Sequence, residues 1–95
     1  MFIILLKFGP NKASAPTHME GHNAWLKQGF EAGHFLLAGS LQPGLGGGIL
    51  AQAPDRAAVE ALLAEDPFVA EGVVEPEVHE LSPARADDRL AFLVA

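Results

Sequence analysis

The sequence predicts an α+β domain of element order βαββαβ, the ferredoxin-like arrangement with an antiparallel sheet. Three observations lead there. Apolar runs of strand length occupy residues 2–8, 34–41 and 48–52, and an alternating run occupies 73–81. Stretches with helical spacing and helix-start residues fall between the first and second runs and between the third and fourth. The second and third runs are joined by Gln42-Pro43-Gly44-Leu45-Gly46-Gly47-Gly48, a turn-rich link that suits an antiparallel hairpin with a long loop.

Phe2 to Phe8 is nearly continuous in β-forming apolar residues and stops at Gly9-Pro10, as a strand placed centrally in a sheet would. A loop is expected from Asn11 to Pro16. Thr17 and Glu20 have capping-box spacing, in which hydroxyl and carboxylate each cover a free backbone N–H group. The helix they predict runs from about His18 to Ala32, with Gly33 as the C′ residue. At 3.6 residues per turn, Met19, His22, Leu26, Gly29 and Phe30 share its inward face.

Asp55 can cap a second helix that runs to about Ala64, with Ala58, Val59, Leu62 and Leu63 as its apolar stripe. Asp66 precedes Pro67, so its backbone is pushed away from helical torsions and the helix stops there. Pro67 then starts a further turn to about Glu71, closed by Gly72. Between Val73 and Leu81, Val74, Pro76 and Val78 alternate with Glu75, Glu77 and His79, the pattern of a strand with one wet face. Pro76 places that strand at a sheet edge or a bulge. Residues 1–83 thus form one domain. The stretch 84–95 is a tail whose charged start leads into Leu90-Ala91-Phe92-Leu93-Val94-Ala95, an apolar end expected to dock, with a dimer interface as the candidate place.

With 49% hydrophobic and 19% charged residues among 95, the chain is too apolar to be disordered. One sheet face carries the helices, and the apolar surplus predicts that a second copy of the chain covers the other. The net charge is −6 and the six basic residues are scattered, so no basic footprint for nucleic acid exists. The absence of cysteine rules out disulfides, thiolate ligands and a cysteine nucleophile. The apolar start, Met1 to Leu6, is too short to span a bilayer and lacks a signal-peptide layout. The expectation is a cytoplasmic protein with no membrane partner.

Two residues offer acid/base chemistry. His22 points inward between Met19 and Leu26, and Asp66 stands at the forced helix break. Alone, each has a structural explanation: a core histidine bonded to backbone, and a cap for the following turn. Together, a carboxylate that accepts the imidazole N–H fixes the tautomer and frees the other nitrogen as base or acid. His18 and His22 have the i,i+4 spacing of metal-binding pairs but no third ligand follows, so neither metal nor other cofactor is expected. The glycines at 44–48 lack the helix and the Lys-Ser/Thr of a phosphate loop, so a flexible hairpin loop that can border a pocket is expected there. Ser40 has no neighbouring base in sequence, and Trp25 suits the core, an interface or a pocket wall beside His22.

In these residues the chain resembles the YCII-related (YciI-like) family of small dimeric α/β-barrel proteins. The resemblance runs from Met1 to about Pro83 and rests on His22 with Leu26, Gly33-His34-Phe35-Leu36-Leu37-Ala38-Gly39, Asp66-Pro67-Phe68-Val69 and Gly72-Val73. It implies homodimers whose sheets pack face to face, and a His–Asp catalytic dyad that falls on His22 and Asp66. Trp25, Ser40 and Phe68 are the expected substrate contacts. Ser40 stands where many relatives have proline, and the tail is longer than in short members. The implied activity is cofactor-free proton transfer, an elimination or isomerisation of a small aromatic or lactone-like compound; dehydrochlorination of a chlorinated hydroxyquinol is associated with relatives. The alternative is a non-catalytic dimer that binds a small molecule or regulates.

Overall fold

The computed structural model describes residues 1–94; Ala95, the last residue of the predicted tail, lies outside the described residues. Strands β1 (Phe2–Phe8), β2 (Phe35–Leu41), β3 (Gly46–Ala51) and β4 (Val74–Glu80) form one antiparallel sheet in the order β2-β3-β1-β4. Helices α1 (Ala15–Glu31) and α2 (Arg56–Ala64) make the crossovers, and a single turn, α3 (Pro67–Ala70), follows α2. This is the ferredoxin-like βαββαβ arrangement.

Strand alternation decides which residues reach the core. On central β1, Phe2, Ile4 and Leu6 are buried, while Ile3 and Leu5 turn to the other face and stay half-exposed. Ile49, Ala51, Phe35 and Val74 join the buried set from the flanking strands, and Trp25, Val59, Leu63 and Phe68 close it from the helices. Truncating a core residue such as Leu6 to alanine costs about 2–5 kcal/mol at sites of this kind. Strand β4 lies at the sheet edge, where Pro76, opposite Leu6, interrupts no interior ladder.

Two boundaries differ from expectation. Helix α1 starts at Ala15, with Pro16 in its first turn where a missing N–H costs nothing. A 3₁₀ turn at Lys12–Ser14 leads into it, held by Ser14 Oγ to Asn11 Oδ1 (2.8 Å) and by Asn11 Nδ2 to Glu71 O (2.8 Å). Thr17 and Glu20 therefore sit inside the helix, and the capping box does not form. Strand β3 starts at Gly46 instead of Gly48, because glycines can pair in a ladder as other residues do: Gly46, Gly47 and Gly48 face Leu41, Ser40 and Gly39. The Asp55 cap forms as expected, accepting from the Ala58 N–H at 2.8 Å. Gly33 closes α1 at φ +79°, a torsion that favours glycine.

After β4, Leu81 N–H donates to Met1 O (2.9 Å) and the Met1 ammonium donates to Leu81 O (3.0 Å). The chain then runs to a 3₁₀ segment, Asp88–Leu93, whose Leu90 and Phe92 are exposed. The sheet face away from the helices carries Ile3, Leu5, Leu37 and Leu50 around a shallow hollow of 310 Å³, with Leu37 60% exposed. Among the described residues, no helix is long and apolar enough to cross a membrane.

Candidate active site

Asp66 is placed by its neighbour in sequence. Pro67 disfavours helical torsions at Asp66, which adopts φ −77°, ψ 118° and becomes the N-cap of α3. Its Oδ1 accepts the Phe68 backbone N–H at 2.9 Å. The same oxygen lies 2.9 Å from His22 Nδ1 on α1. Asp66 is fully buried, and its Oδ2 makes no hydrogen bond among the described residues. A carboxylate taken out of water is costly unless it is paired, so the imidazole and the cap bond together hold this one in place.

His22 is brought to it by a close approach of helices. Gly21 faces Pro67: a Cβ there would lie 3.1 Å from Pro67 Cγ, tighter than ordinary packing allows. The missing side chain lets α1 settle against α3. One turn on, Trp25 Nε1–H donates to Leu62 O at 2.9 Å and ties α1 to the end of α2. The His22 ring is then fixed between aromatic neighbours. Phe68 stacks on it at 4.0 Å and 5° between planes, and Trp25 lies at 5.8 Å and 29°. An ionised carboxylate can only accept, so the shared proton is assigned to Nδ1 and the lone pair to Nε2.

The pair borders a cavity of 360 Å³ between α1 and the sheet, a size that holds a small molecule. His22 and Phe68 stand in its wall, with Met19, Asn23 and Leu26 from α1 and Ser40 from β2. The cavity thus unites three of the residues singled out in the sequence: His22, Ser40 and Phe68. Asp66 lies behind His22 and supports it. Trp25, expected as a substrate contact, also stands behind the imidazole and outside the lining, in edge contact with Phe35 (5.0 Å, 60°). His18 does not line the cavity. Among the described residues, no three His, Asp or Glu side chains group as a metal site would require.

Two further contributors, Gly21 and Asn23, leave no mark in the sequence. Gly21 looks like a weak helix residue until its contact with Pro67 is seen. Asn23 sits next to His22 in sequence, so helical spacing assigns it to a different face. Gly46, Gly47 and Gly48, expected in a hairpin loop that can border a pocket, do line the cavity, but as strand, and form a side-chain-free part of its wall.

The sequence model of the YCII-related domain matches residues 1–82. The chain belongs to the YCII-related domain family. Among solved structures, this YCII-related chain is similar to the 5-chloro-2-hydroxyhydroquinone dehydrochlorinase (TftG) of Burkholderia phenoliruptrix AC1100, in complex with 2,5-dihydroxybenzoquinone. The two share 19% sequence identity at a TM-score of 0.71, over 84% of this chain and 91% of that one. At that identity the likeness establishes the fold. No curated protein sequence matches the chain.

Proposed function

We propose that the chain is a small-molecule enzyme in which His22 transfers protons and Asp66 orients it. The observation that carries this is the 2.9 Å contact between buried Asp66 Oδ1 and His22 Nδ1, made beside a cavity that His22 lines. With the imidazole uncharged and the carboxylate ionised, Nε2 takes a proton from an acidic C–H or O–H of the ligand, and Asp66 steadies the imidazolium. In an elimination, the freed electron pair becomes a new double bond and the leaving anion departs with its bonding pair. In an isomerisation, Nε2 returns the proton to another atom of the ligand. Ser40, Phe68 and the neighbouring Trp25 are the residues assigned to substrate positioning, Trp25 by way of the His22 ring.

The family and the similarity to a dehydrochlorinase support a small hydroxylated aromatic as the substrate class. The test is incubation with chlorinated and unchlorinated hydroxyquinols, following chloride release and solvent deuterium uptake. His22→Asn and Asp66→Asn should each lower the rate by about 10²–10⁴, the usual worth of general acid/base catalysis. Full rates in both folded variants would overturn the assignment. A second reading, a pocket that only binds, draws on the scarcity of other polar wall groups, Asn23 and Ser40 being the two side chains beyond His22. Saturable binding without chemical change at stoichiometric protein would select it.

The working unit proposed is a homodimer closed over the sheet face of Ile3, Leu5, Leu37 and Leu50, with the apolar end of the tail at its border. Leu37→Lys together with Leu5→Lys should give a monomer by sedimentation. An unchanged mass would contradict that surface.

A further inference from the structure

We infer that Gly47 sets which ligands the cavity admits, and that it selects one flat, uncharged ring laid against bare β3 backbone. This rests on the cavity being the ligand site and goes beyond it by naming the residue that shapes it. Strand alternation turns Gly47 to the same face as buried Ile49, and its ladder partners are Leu6, which is buried, and Ser40, which is exposed. A Cβ at Gly47 would meet one atom within 4 Å, the backbone Gly39 O at 3.3 Å, a tight approach that β2 and β3 relieve by opening a few tenths of an ångström. A longer side chain would therefore project into the cavity, where no packed side chain stands in its way. Gly47 does not have the positive φ that demands glycine, unlike Gly46 at φ +132°. Backbone torsion therefore does not require glycine at 47; what a side chain there would change is the tight approach to Gly39 O and the space in front of the sheet.

Two observations give the ligand its charge. Among the described residues no Lys, Arg, Asp or Glu lines the cavity, so a carboxylate or phosphate entering it would lose water and gain no permanent counter-charge, the His22 imidazole being already paired with Asp66. The chain as a whole carries −6, which repels anions at longer range. A hydroxylated ring without an acidic substituent meets neither obstacle. Its hydroxyls can reach His22, Asn23 or Ser40 while its face lies on the glycine backbone.

The test is calorimetric titration of the full chain with hydroquinone, with gentisate (its carboxylated counterpart) and with naphthohydroquinone (its two-ring counterpart). Wild type should bind hydroquinone at least tenfold more tightly than gentisate. Gly47→Val, a residue suited to strands, should weaken hydroquinone at least tenfold, and Gly47→Ala should spare hydroquinone but weaken the two-ring compound. Melting temperatures identify any variant that fails to fold, in which case Gly47→Ala decides. Equal affinities in wild type and both folded variants would overturn the role of Gly47 while leaving the site itself in place. Gentisate bound as tightly as hydroquinone would overturn the charge selection. No binding of any of the three by wild type would overturn the ligand site and this inference with it.

Discussion

Two histidine–carboxylate pairs in this molecule have the same separation and different surroundings. His22 Nδ1 to Asp66 Oδ1 and His79 Nε2 to Glu77 Oε2 are both 2.9 Å. In the first pair the side chains are 12% and 0% exposed; in the second, 58% and 45%. The first joins residues 44 positions apart and needs three helices to assemble. The second joins neighbours on one face of β4, shares Glu77 with Lys7 at 3.4 Å, and needs only a strand. A short contact by itself therefore says little about chemistry. What separates the pairs is a fixed ring, exclusion of water from the carboxylate, and a cavity in front of the imidazole.

The largest effects should come from pulling that comparison apart at the buried pair. Loss of turnover in His22→Asn and Asp66→Asn should have no counterpart in Glu77→Gln or His79→Gln, which should turn over at wild-type rates. Asp66→Ala removes the α3 cap and strands the Phe68 N–H and the imidazole, so urea unfolding should show a loss of about 3 kcal/mol. A loss within error would mean that water or another group replaces the carboxylate.

Smaller effects should follow one shell out. Trp25→Phe keeps a ring beside His22 but leaves Leu62 O without the indole N–H, at a cost of about 1 kcal/mol in the same assay. A neutral result would show that the indole bond does not anchor α1.

The exposed pair should give the smallest response. The Glu77 carboxyl is held below the ordinary carboxylate value, first by its hydrogen bond to His79 and then by Lys7. A lowered folded-state value means that any stabilisation is complete above the ordinary carboxylate range and fades as pH falls through the lowered value. Melting curves of wild type and Glu77→Gln should differ marginally at neutral pH and converge in acid, because solvent screens the pair. A wide gap at neutral pH would show that β4's edge charges matter more than their exposure implies.

The same contrast explains how much could be read in advance. Strand and helix order followed from periodicity, since alternation on β4 and the i,i+4 stripe of α2 need no knowledge of the rest of the chain. The break at Asp66-Pro67 was equally local, because proline acts on its immediate neighbour. Thr17 and Glu20 misled for the opposite reason: their spacing fits a cap, but Asn11 bonds to Glu71, 60 residues away, and helps to start the helix earlier. Gly21 was invisible, and Gly47 could be read only as pocket-bordering loop, because a missing side chain shows its purpose only when the facing element is known. His22 and Asp66 could be nominated from sequence, whereas their contact depends on that same helix approach.

The central claim is that Asp66 holds the proton on Nδ1 of His22 and leaves Nε2 free. Nitrogen-15 spectra of the imidazole rings at mildly alkaline pH, where an ordinary imidazole is neutral, test it without any ligand. The account predicts a protonated Nδ1 and a bare Nε2 for His22, with that preference lost in Asp66→Asn. A proton on Nε2 in wild type, or a tautomer unaffected by Asp66→Asn, would contradict it.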